Sequence, residues 1–268
     1  MNKSPKLKIQ AAIRGVHRAV LYRPMPRRVA VYLHTLETDQ YPAFERLVRW
    51  FQEQAYQFVG PDAFLHSNQA GERLFFLSFD DNYVTWHRAL PLLERLGVQA
   101  TFYANTCCFR EDLTEAAMQA FYQRIRFRGR TKVSLTRSEL VALRRAGHTI
   151  GAHTHTHPVL SALPLEQAQH EIALNKQLLE ELLGEPVSHF AFPYGFERHF
   201  SPALADYCHA LGFRSIAYAT PALQHATPSP RRLHRSLWPF YRSFERNLED
   251  LRIDGRLFTR LTGRSAVG

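Results

Sequence analysis

Short apolar runs alternate with amphipathic segments along most of this chain, and this alternation constrains its fold more than any other feature. The runs that suit buried strands are Val29–Leu33, Leu74–Phe79, Val98–Tyr103, His148–Ala152, Ser188–Phe192 and Arg214–Tyr218. The segments that suit helices are Ala43–Gln57, Val84–Leu96, Ser138–Ala146, Leu165–Leu183 and Ser201–Leu211. Strands that alternate with helices form parallel sheets. The sequence therefore predicts an α/β fold whose sheet is either open or closed into a barrel.

Polar clusters follow four of the predicted strands at their carboxyl ends. His34 follows the first, Asp80 and Asp81 end the second, and His153–His157 and Pro193–Gly195 follow two others. The carboxyl edge of a parallel sheet is where α/β folds place their active sites. Scattered structural polar residues would not concentrate at one edge, so we expect a single functional site there.

Composition and length exclude several other classes of protein. The chain has 268 residues, of which 45% are hydrophobic and 22% charged, so it is expected to fold around a sizeable core. No window approaches the about 18–20 uninterrupted apolar residues of a membrane-spanning helix. The three cysteines, Cys107, Cys108 and Cys208, fit neither a disulfide framework nor a CxxC metal site, which favours a reducing compartment.

The net charge of +10 predicts a surface that attracts anions such as nucleic acid, anionic lipid or phosphorylated compounds. The charge is scattered, and no zinc-finger spacing, basic-zipper heptad or aromatic RNA-binding motif is present. We therefore expect no nucleic-acid partner.

The N-terminal segment 1–28 is basic, and Arg14 interrupts the only stretch that could serve as a secretion signal. Its apolar residues recur at helical spacing: Ile9, Ile13, Val16 and Val20. An amphipathic helix of this kind either packs on its domain or lies on an anionic membrane. We expect a cytoplasmic protein, with peripheral contact at the inner face of the membrane as the second option.

The segment GAHTHTHP indicates metal binding. In a helical turn His153 and His157 share a face, whereas in an extended loop His155 would lie on the same side as both. A carboxylate from elsewhere would complete a site of two imidazoles and one carboxylate with open positions. A solvated histidine-rich loop is the alternative.

The segment SFDDNY supplies that carboxylate. Adjacent side chains at a strand end point in different directions, so one of Asp80 and Asp81 can bind the metal while the other takes a proton from water activated by it. Taken alone, an Asp-Asp pair would more often form a turn or a helix N-cap.

Three motifs together resemble, in order, the first three motifs of the polysaccharide deacetylase family (NodB homology, carbohydrate esterase family 4). They are LSFDDNY at 77–83, GAHTHTHP at 151–158 and AFPYG at 191–195, within a resemblance that spans roughly residues 29–240. The resemblance implies a single distorted (β/α) barrel with one divalent metal ion, Zn²⁺ or alternatively Co²⁺, Ni²⁺ or Mn²⁺. It also implies hydrolysis of the N-acetyl group of an amino sugar to a free amine and acetate.

The resemblance assigns roles to individual residues. Asp80 matches the catalytic base, and His155 falls at a variable position without a ligand role. The matching metal ligands are Asp81, His153 and His157. The matching substrate-binding residues are Tyr194, whose backbone N–H would stabilise the oxyanion, its neighbour Pro193, and Thr154, which braces the loop.

The general acid is less constrained. Val31–His34 resembles the N-terminal Tyr-His segment of circularly permuted members, offset by one leucine, and favours His34. His234 in a Leu-His segment is the alternative. Arg235 is then the candidate that steers Asp80, because the third motif has Ala191 or Phe192 where simpler members have an arginine.

Asn82 is a further departure, since it replaces the usual glycine, although asparagine tolerates left-handed backbone better than most residues. Neither departure removes a metal ligand, so we expect an active enzyme. Loss of a ligand would instead have favoured a silent carbohydrate-binding module on the same fold. A hydrolase of another amide or ester is the remaining alternative, since a fold does not determine the leaving group.

We expect a catalytic domain over 29–245 and a C-terminal extension over 246–268. An insertion at 104–137 separates the first two motifs and is rich in aromatic and basic residues. It is expected either to cover the site as a lid or to pack on the barrel as a helical elaboration. Charge and expected location suggest a substrate from surface-glycan synthesis: a glycan precursor, an oligosaccharide or a lipid-linked sugar.

Overall fold

Parallel strands form the centre of the molecule. The structure, a computed structural model, describes residues 24–67, 69–125, 129–220 and 229–252. Within these ranges the strands are β1 (Arg28–Leu33), β2 (Tyr56–Phe58), β3 (Arg73–Asp80), β4 (Ala100–Ala104), β5 (Thr149–Ala152), β6 (His189–Ala191), β7 (Ser215–Tyr218), β8 (Leu233–His234) and β9 (Ser236–Leu237). Their order is β8-β7-β6-β5-β4-β3-β1-β9, with β2 beside β3, and every strand pair is parallel.

A single extended segment closes this sheet into a barrel. Its first half, β8, pairs with β7 through Ala217 and Tyr218, and its second half, β9, pairs with β1 through Val31 and Tyr32. Arg235 lies between the two halves, at the seam. The predicted (β/α) barrel is confirmed.

Helices surround the barrel, and the short helix Pro61–His66 contributes Phe64 and Leu65 to the apolar cluster of the barrel interior. They are α1 (Tyr41–Glu53), α2 (Pro61–His66), α3 (Thr85–Arg88), α4 (Leu90–Leu96), α5 (Glu115–Arg124), α6 (Arg137–Arg145), α7 (Leu165–Leu183), α8 (Pro202–Ala210) and α9 (Phe244–Asp250). The prediction of one helix over Ala43–Gln57 is wrong at its end, because Ala55 adopts a φ of 62° and the chain then enters β2. The segment Val84–Leu96 forms two helices, the second of which begins with Pro91 in its first turn.

The barrel interior is apolar at the amino ends of the strands and polar at the carboxyl ends. The apolar layers comprise Ala30, Phe64, Leu65, Leu74, Phe76, Ala191, Ala217 and Leu233, together with the ring of Tyr103. Along β3 the inward positions continue as Ser78 and Asp80. The side-chain alternation of the strands therefore places polar groups at one end of the barrel.

The predicted segments at the two ends of the chain are described only in part. Residues 1–23 of the basic segment 1–28 and residues 253–268 of the extension 246–268 lie outside the described ranges. Helix α9 runs across the predicted boundary at 245, and Leu251 packs into the core. None of the helices in the described part of the chain has the length and apolarity needed to span a membrane.

A buried histidine directly before β5 makes the stability of the fold sensitive to acid. His148 is 3% exposed, its Nδ1 accepts the Ala100 N–H at 3.3 Å, and burial lowers its pKa from 6.5 to about 4. The unfolded chain binds a proton here below about pH 6.5, whereas the folded chain does not until about pH 4, so stability is lost as the pH falls through this window.

We predict that His148→Gln reduces this acid loss by up to about 3 kcal/mol. The measurement is the free energy of urea unfolding at pH 7.5 and 4.5, with His170→Gln on the exposed face of α7 as the matched control. An equal pH dependence in wild type and His148→Gln would contradict the assignment.

Candidate active site

The end of β3 separates two adjacent carboxylates. Asp80 is the last residue of the strand and points into the barrel, whereas Asp81 adopts a φ of 81° and turns its side chain toward the loop after β5. Both residues are buried. The left-handed turn at Asp81 thus gives the two carboxylates different partners.

Asp80 is held by a bidentate ion pair. Arg235 Nη1 and Nη2 donate to Asp80 Oδ1 and Oδ2 at 2.7 and 2.9 Å, and Nη1 also donates to Ser78 Oγ at 2.9 Å. The Arg235 side chain is fully buried. The barrel seam therefore supplies the arginine that the third motif lacks.

Asp81 meets two histidines. His153 Nε2 and His157 Nε2 each lie 3.1 Å from Asp81 Oδ1, and all three residues are buried. His153 Nδ1 lies 2.6 Å from the Ala191 carbonyl oxygen and must donate to it, which leaves Nε2 facing Asp81. One ligand atom from each residue fits within 4.8 Å of the others.

The donor set fits a divalent cation. Asp81 Oδ1 is buried and has no hydrogen bond of good geometry within the described part of the chain. Burial would raise the pKa of Asp81, but the imidazoles of His157 and His153 outweigh it and hold this pKa well below its usual range. Burial lowers the pKa of His157, which favours the neutral imidazole that metal ligation requires. These three residues therefore offer a carboxylate oxygen and two imidazole nitrogens to one ion.

The loop that carries the histidines is braced by its own hydroxyl. Thr154 Oγ1 accepts the His157 N–H at 3.1 Å, and Thr154 is fully buried. His155 points away from Asp81 and pairs through Nδ1 with Thr106 Oγ1 at 2.9 Å. The loop is neither a helical turn nor an extended strand, because Thr154 and His157 both have positive φ.

Three buried asparagines tie the motif loops together. Asn82 exchanges two hydrogen bonds with the backbone of Asn105, at 2.7 and 2.9 Å. Asn105 in turn donates to the carbonyl oxygens of His153 and Thr154. Asn175 Oδ1 on α7 accepts the His153 N–H at 2.8 Å. The side chain of Asn82 therefore braces the site instead of obstructing it.

Sequence reasoning missed two of these residues. Asn105 follows β4 directly, so the strand-end rule that found the other clusters also applies to it. Asn175 is the polar member of a buried stripe on α7 that otherwise consists of Ala168, Ile172 and Leu179. A polar residue in such a stripe needs a buried partner, which is a usable indication.

Backbone strain is concentrated here. Six non-glycine residues in the described ranges have positive φ, and five of them belong to the motifs: Asp81, Asn82, Thr154, His157 and Tyr194. Such conformations cost about 1–3 kcal/mol each and persist where the surroundings enforce them. Their clustering supports the choice of this edge of the barrel as the candidate functional edge.

The two histidines proposed as acids lie in different places. His34 Nε2 is 3.7 Å from Asp81 Oδ2, and its side chain is 36% exposed. His234 lies on the opposite face of its strand from Arg235, is buried, and its ring centroid is 5.4 Å from that of Tyr218. His34 is thus the one that lies beside Asp81, a member of the candidate metal-binding group.

Pro193 and Tyr194 form the turn after β6. The Tyr194 ring lies 5.0 Å from the His157 ring, and Tyr194 has a φ of 63°. Gly195 follows with a φ of 61°, and a Cβ there would lie 2.2 Å from the Ala219 Cβ. The turn therefore requires glycine at this position to bring Tyr194 beside His157.

A cleft of about 590 Å³ opens beside His34 and Asp81. Leu237–Tyr241 form one wall, and Ile125, Gly129 and Arg130 of the insertion form another. Thr131 donates through its N–H and hydroxyl to Glu37 at 3.1 and 2.7 Å, which fastens the insertion to the segment after β1. The insertion thus contributes both a packed helix, α5, and a wall of the cleft.

Comparison with known proteins decides the family. The sequence profile of the family described as polysaccharide deacetylase matches residues 67–216, more than half of the chain. The chain belongs to the polysaccharide deacetylase family. The resemblance inferred from the three motifs is confirmed, whereas the circularly permuted order stays a prediction.

Individual relatives are distant. The Bacillus subtilis (strain 168) protein described as "Putative polysaccharide deacetylase YxkH" is 25% identical over 159 residues, which cover 57% of this chain and 49% of that protein. The chain therefore spans about half the length of this curated relative.

Two solved structures share the fold. The Streptococcus pyogenes deacetylase PplD in complex with acetate has a TM-score of 0.66 at 17% identity, covering 86% of this chain and 99% of that one. IcaB from Ammonifex degensii has a TM-score of 0.65 at 17% identity, covering 84% and 97%.

Metal binding should displace a proton from this site. Burial would lower the pKa of His153, but the neighbouring carboxylates of Asp81 and Asp80 raise it, so this imidazole holds its proton to higher pH than a free histidine and a cation at its Nε2 competes with that proton. We predict that Zn²⁺ binding releases protons, measured by titration calorimetry in two buffers of different ionisation enthalpy.

Substitution of a residue that only supports a metal ligand typically weakens metal affinity about 10- to 100-fold. Asp81→Asn changes a proposed ligand itself, so we expect it to weaken Zn²⁺ binding by at least that factor. His155→Gln, in the same loop, is the matched control and should bind as wild type does. Unchanged affinity in Asp81→Asn would exclude this donor set.

Proposed function

We propose that this protein is a metal-dependent N-deacetylase that releases acetate from an N-acetylated amino sugar. One observation carries the proposal: Asp81, His153 and His157 converge on one point beside Asp80, which Arg235 holds in place. The family supports the same activity.

Asp81, His153 and His157 would hold the ion, which supplies Lewis acidity toward the acetyl carbonyl and an acidified water. Asp80 is the base that accepts the proton of the attacking water. Arg235 occupies both oxygens of Asp80 through hydrogen bonds and thereby sets the direction of the carboxylate. We favour zinc because two imidazoles and a carboxylate are among its usual ligands, although Co²⁺, Ni²⁺ and Mn²⁺ bind the same atoms.

His34 is the proposed general acid. It lies across Asp81 from the two ligand histidines, and its partial exposure to the cleft gives it access to a leaving amine. The His34 carbonyl accepts a hydrogen bond from Trp86 Nε1 at 2.7 Å, which anchors its backbone. The Tyr194 N–H is the proposed oxyanion donor, presented by the left-handed turn beside His157.

The cleft supports a substrate larger than one sugar. Its volume exceeds the space of a single hexosamine, and its wall combines apolar Trp238–Tyr241 with polar Glu37, Gln40 and Arg130. Tyr241 is 82% exposed, so its ring is accessible to a ligand in the cleft. An oligosaccharide or lipid-linked precursor fits this mixed wall, and we propose that a neighbouring sugar ring stacks on Tyr241.

The activity is tested by acetate release from N-acetylglucosamine oligosaccharides and lipid-linked N-acetyl sugars, with added Zn²⁺ or Co²⁺ and with chelator. We expect metal-dependent release that Asp80→Asn reduces by about 10²- to 10⁴-fold, the usual contribution of a general base. Asp62→Asn, near the start of β6 at the other end of the barrel, is the matched control.

Other outcomes assign other functions. Metal bound at Asp81, His153 and His157 without acetate release from any sugar would move the proposal to another amide or ester substrate. Neither metal binding nor release would overturn the enzyme proposal and favour a carbohydrate-binding module.

The proposed stacking of a sugar ring on Tyr241 is tested by comparing monosaccharide and oligosaccharide substrates. Tyr241→Ala should lower kcat/KM on oligosaccharides about 2- to 10-fold, the equivalent of an aromatic stacking energy, and leave the monosaccharide unaffected. Tyr241→Phe keeps the ring and should behave as wild type. Equal effects of Tyr241→Ala on monosaccharide and oligosaccharide would contradict the contact.

A further inference from the structure

Two tyrosine rings lie close to the guanidinium group of Arg235. The guanidinium carbon lies 5.0 Å from the ring centroid of Tyr32 and 5.0 Å from that of Tyr103. Both distances are within the about 6 Å range of a cation–π contact. Tyr32 comes from β1 and Tyr103 from β4, so the contacts reach across the top of the barrel.

The rings complement the hydrogen bonds of the guanidinium. Its Nη atoms donate to Asp80 and Ser78, and Nε lies 3.5 Å from the Tyr218 carbonyl oxygen. These acceptors lie at the edge of the guanidinium plane, whereas the rings lie close to its carbon. A buried arginine has lost its hydration shell. Contact with aromatic rings compensates for part of the lost hydration energy and leaves the N–H groups free to donate to other acceptors.

The ring of Tyr103 occupies space that is available only because residue 151 is glycine. A Cβ at Gly151 would lie 2.5 and 2.6 Å from two ring carbons of Tyr103. Gly151 occupies an inward position of β5, two residues before His153, where a side chain would displace the ring.

Within the described ranges, the hydroxyl group of Tyr103 makes no hydrogen bond that would account for a tyrosine at this position. It is buried and has no hydrogen-bond partner among the residues that the structure describes. A buried hydroxyl without a partner costs free energy, whereas an aromatic ring beside a buried cation contributes favourably. The ring is also what contacts Arg235.

We infer that Tyr103 and Tyr32 are positioning residues, which hold the guanidinium of Arg235 in the plane that meets both oxygens of Asp80. Gly151 serves this arrangement by leaving space for Tyr103. The inference rests on the proposed function, because it assigns the rings an effect on turnover through the base.

Tyr103 is the cleaner residue to test, because the Tyr32 ring also lies 5.5 Å from the His34 ring. Tyr103→Leu removes the ring and should lower kcat about 10-fold or more while KM changes less than about twofold. Tyr103→Phe keeps the ring and should retain wild-type kcat.

A double-mutant cycle separates positioning from general damage. If Tyr103 acts through Arg235, Tyr103→Leu should lower kcat less than about twofold in an Arg235→Lys background. Phe76→Leu, a ring-to-leucine change on an inward position of β3 below Ser78, is the matched control for loss of packing and should leave kcat unchanged.

A measurement without substrate tests the contact itself. The Nε–H proton of Arg235, observed by ¹⁵N-resolved NMR, should carry a ring-current shift in wild type and Tyr103→Phe that changes in Tyr103→Leu. Unfolding temperature and metal stoichiometry of each variant show whether the fold and the metal site persist.

Three results would overturn the inference: equal loss of kcat in Tyr103→Phe and Tyr103→Leu, additive losses in the cycle, or a ring-current shift that does not depend on the Tyr103 ring. Failure of the proposed function looks different. In that case wild type itself releases no acetate, and Asp80→Asn matches it, while the NMR result still reports on the contact.

Discussion

The buried ion pair between Asp80 and Arg235 is the interaction on which the top of this barrel depends. Arg235 is fully buried, and both oxygens of Asp80 bind it. Removing one member of such a pair leaves an unpaired buried charge, which typically costs about 3–5 kcal/mol. The polar layer above the apolar barrel interior is therefore stable only when both charges are present, and the ends of β3 and β8 are held together through them.

This pair couples barrel closure to chemistry. Arg235 lies between β8 and β9, the two halves of the segment that bonds to β7 on one side and to β1 on the other. The arginine therefore reaches Asp80 only when the seam is closed, and β1 carries His34 into the same region. A barrel that opens at this seam separates Arg235 from the proposed base, Asp80, and also displaces the proposed acid, His34. Folding and the proposed function share one set of contacts here.

The sequence predicts the positions of residues that directly follow strands better than it predicts contacts between residues on different strands. The strand-end rule placed Asp80, Asp81, His153 and His157 at one edge, and the last three do converge on one point. It depends only on local periodicity and on the geometry of parallel sheets. Arg235 is 155 positions from Asp80 along the chain, so no local pattern links the two, and only the family resemblance suggested the pair. The same holds for the contact of Tyr103 with Arg235.

The strained loops show why side-chain direction escaped prediction. Sequence spacing offered a helical turn or an extended loop for His153–His157, but the loop follows neither, because Thr154 and His157 are left-handed. Local propensity opposes a β-branched residue in that conformation. Bonds from Asn105 to the His153 and Thr154 carbonyl groups, and from the His157 N–H to Thr154, overcome the preference. Hydrogen bonds from Asn105, a residue far from this loop in the sequence, therefore help to determine the conformation of the His153–His157 loop. Because this partner is distant along the chain, local sequence patterns cannot predict the directions of the two histidine side chains.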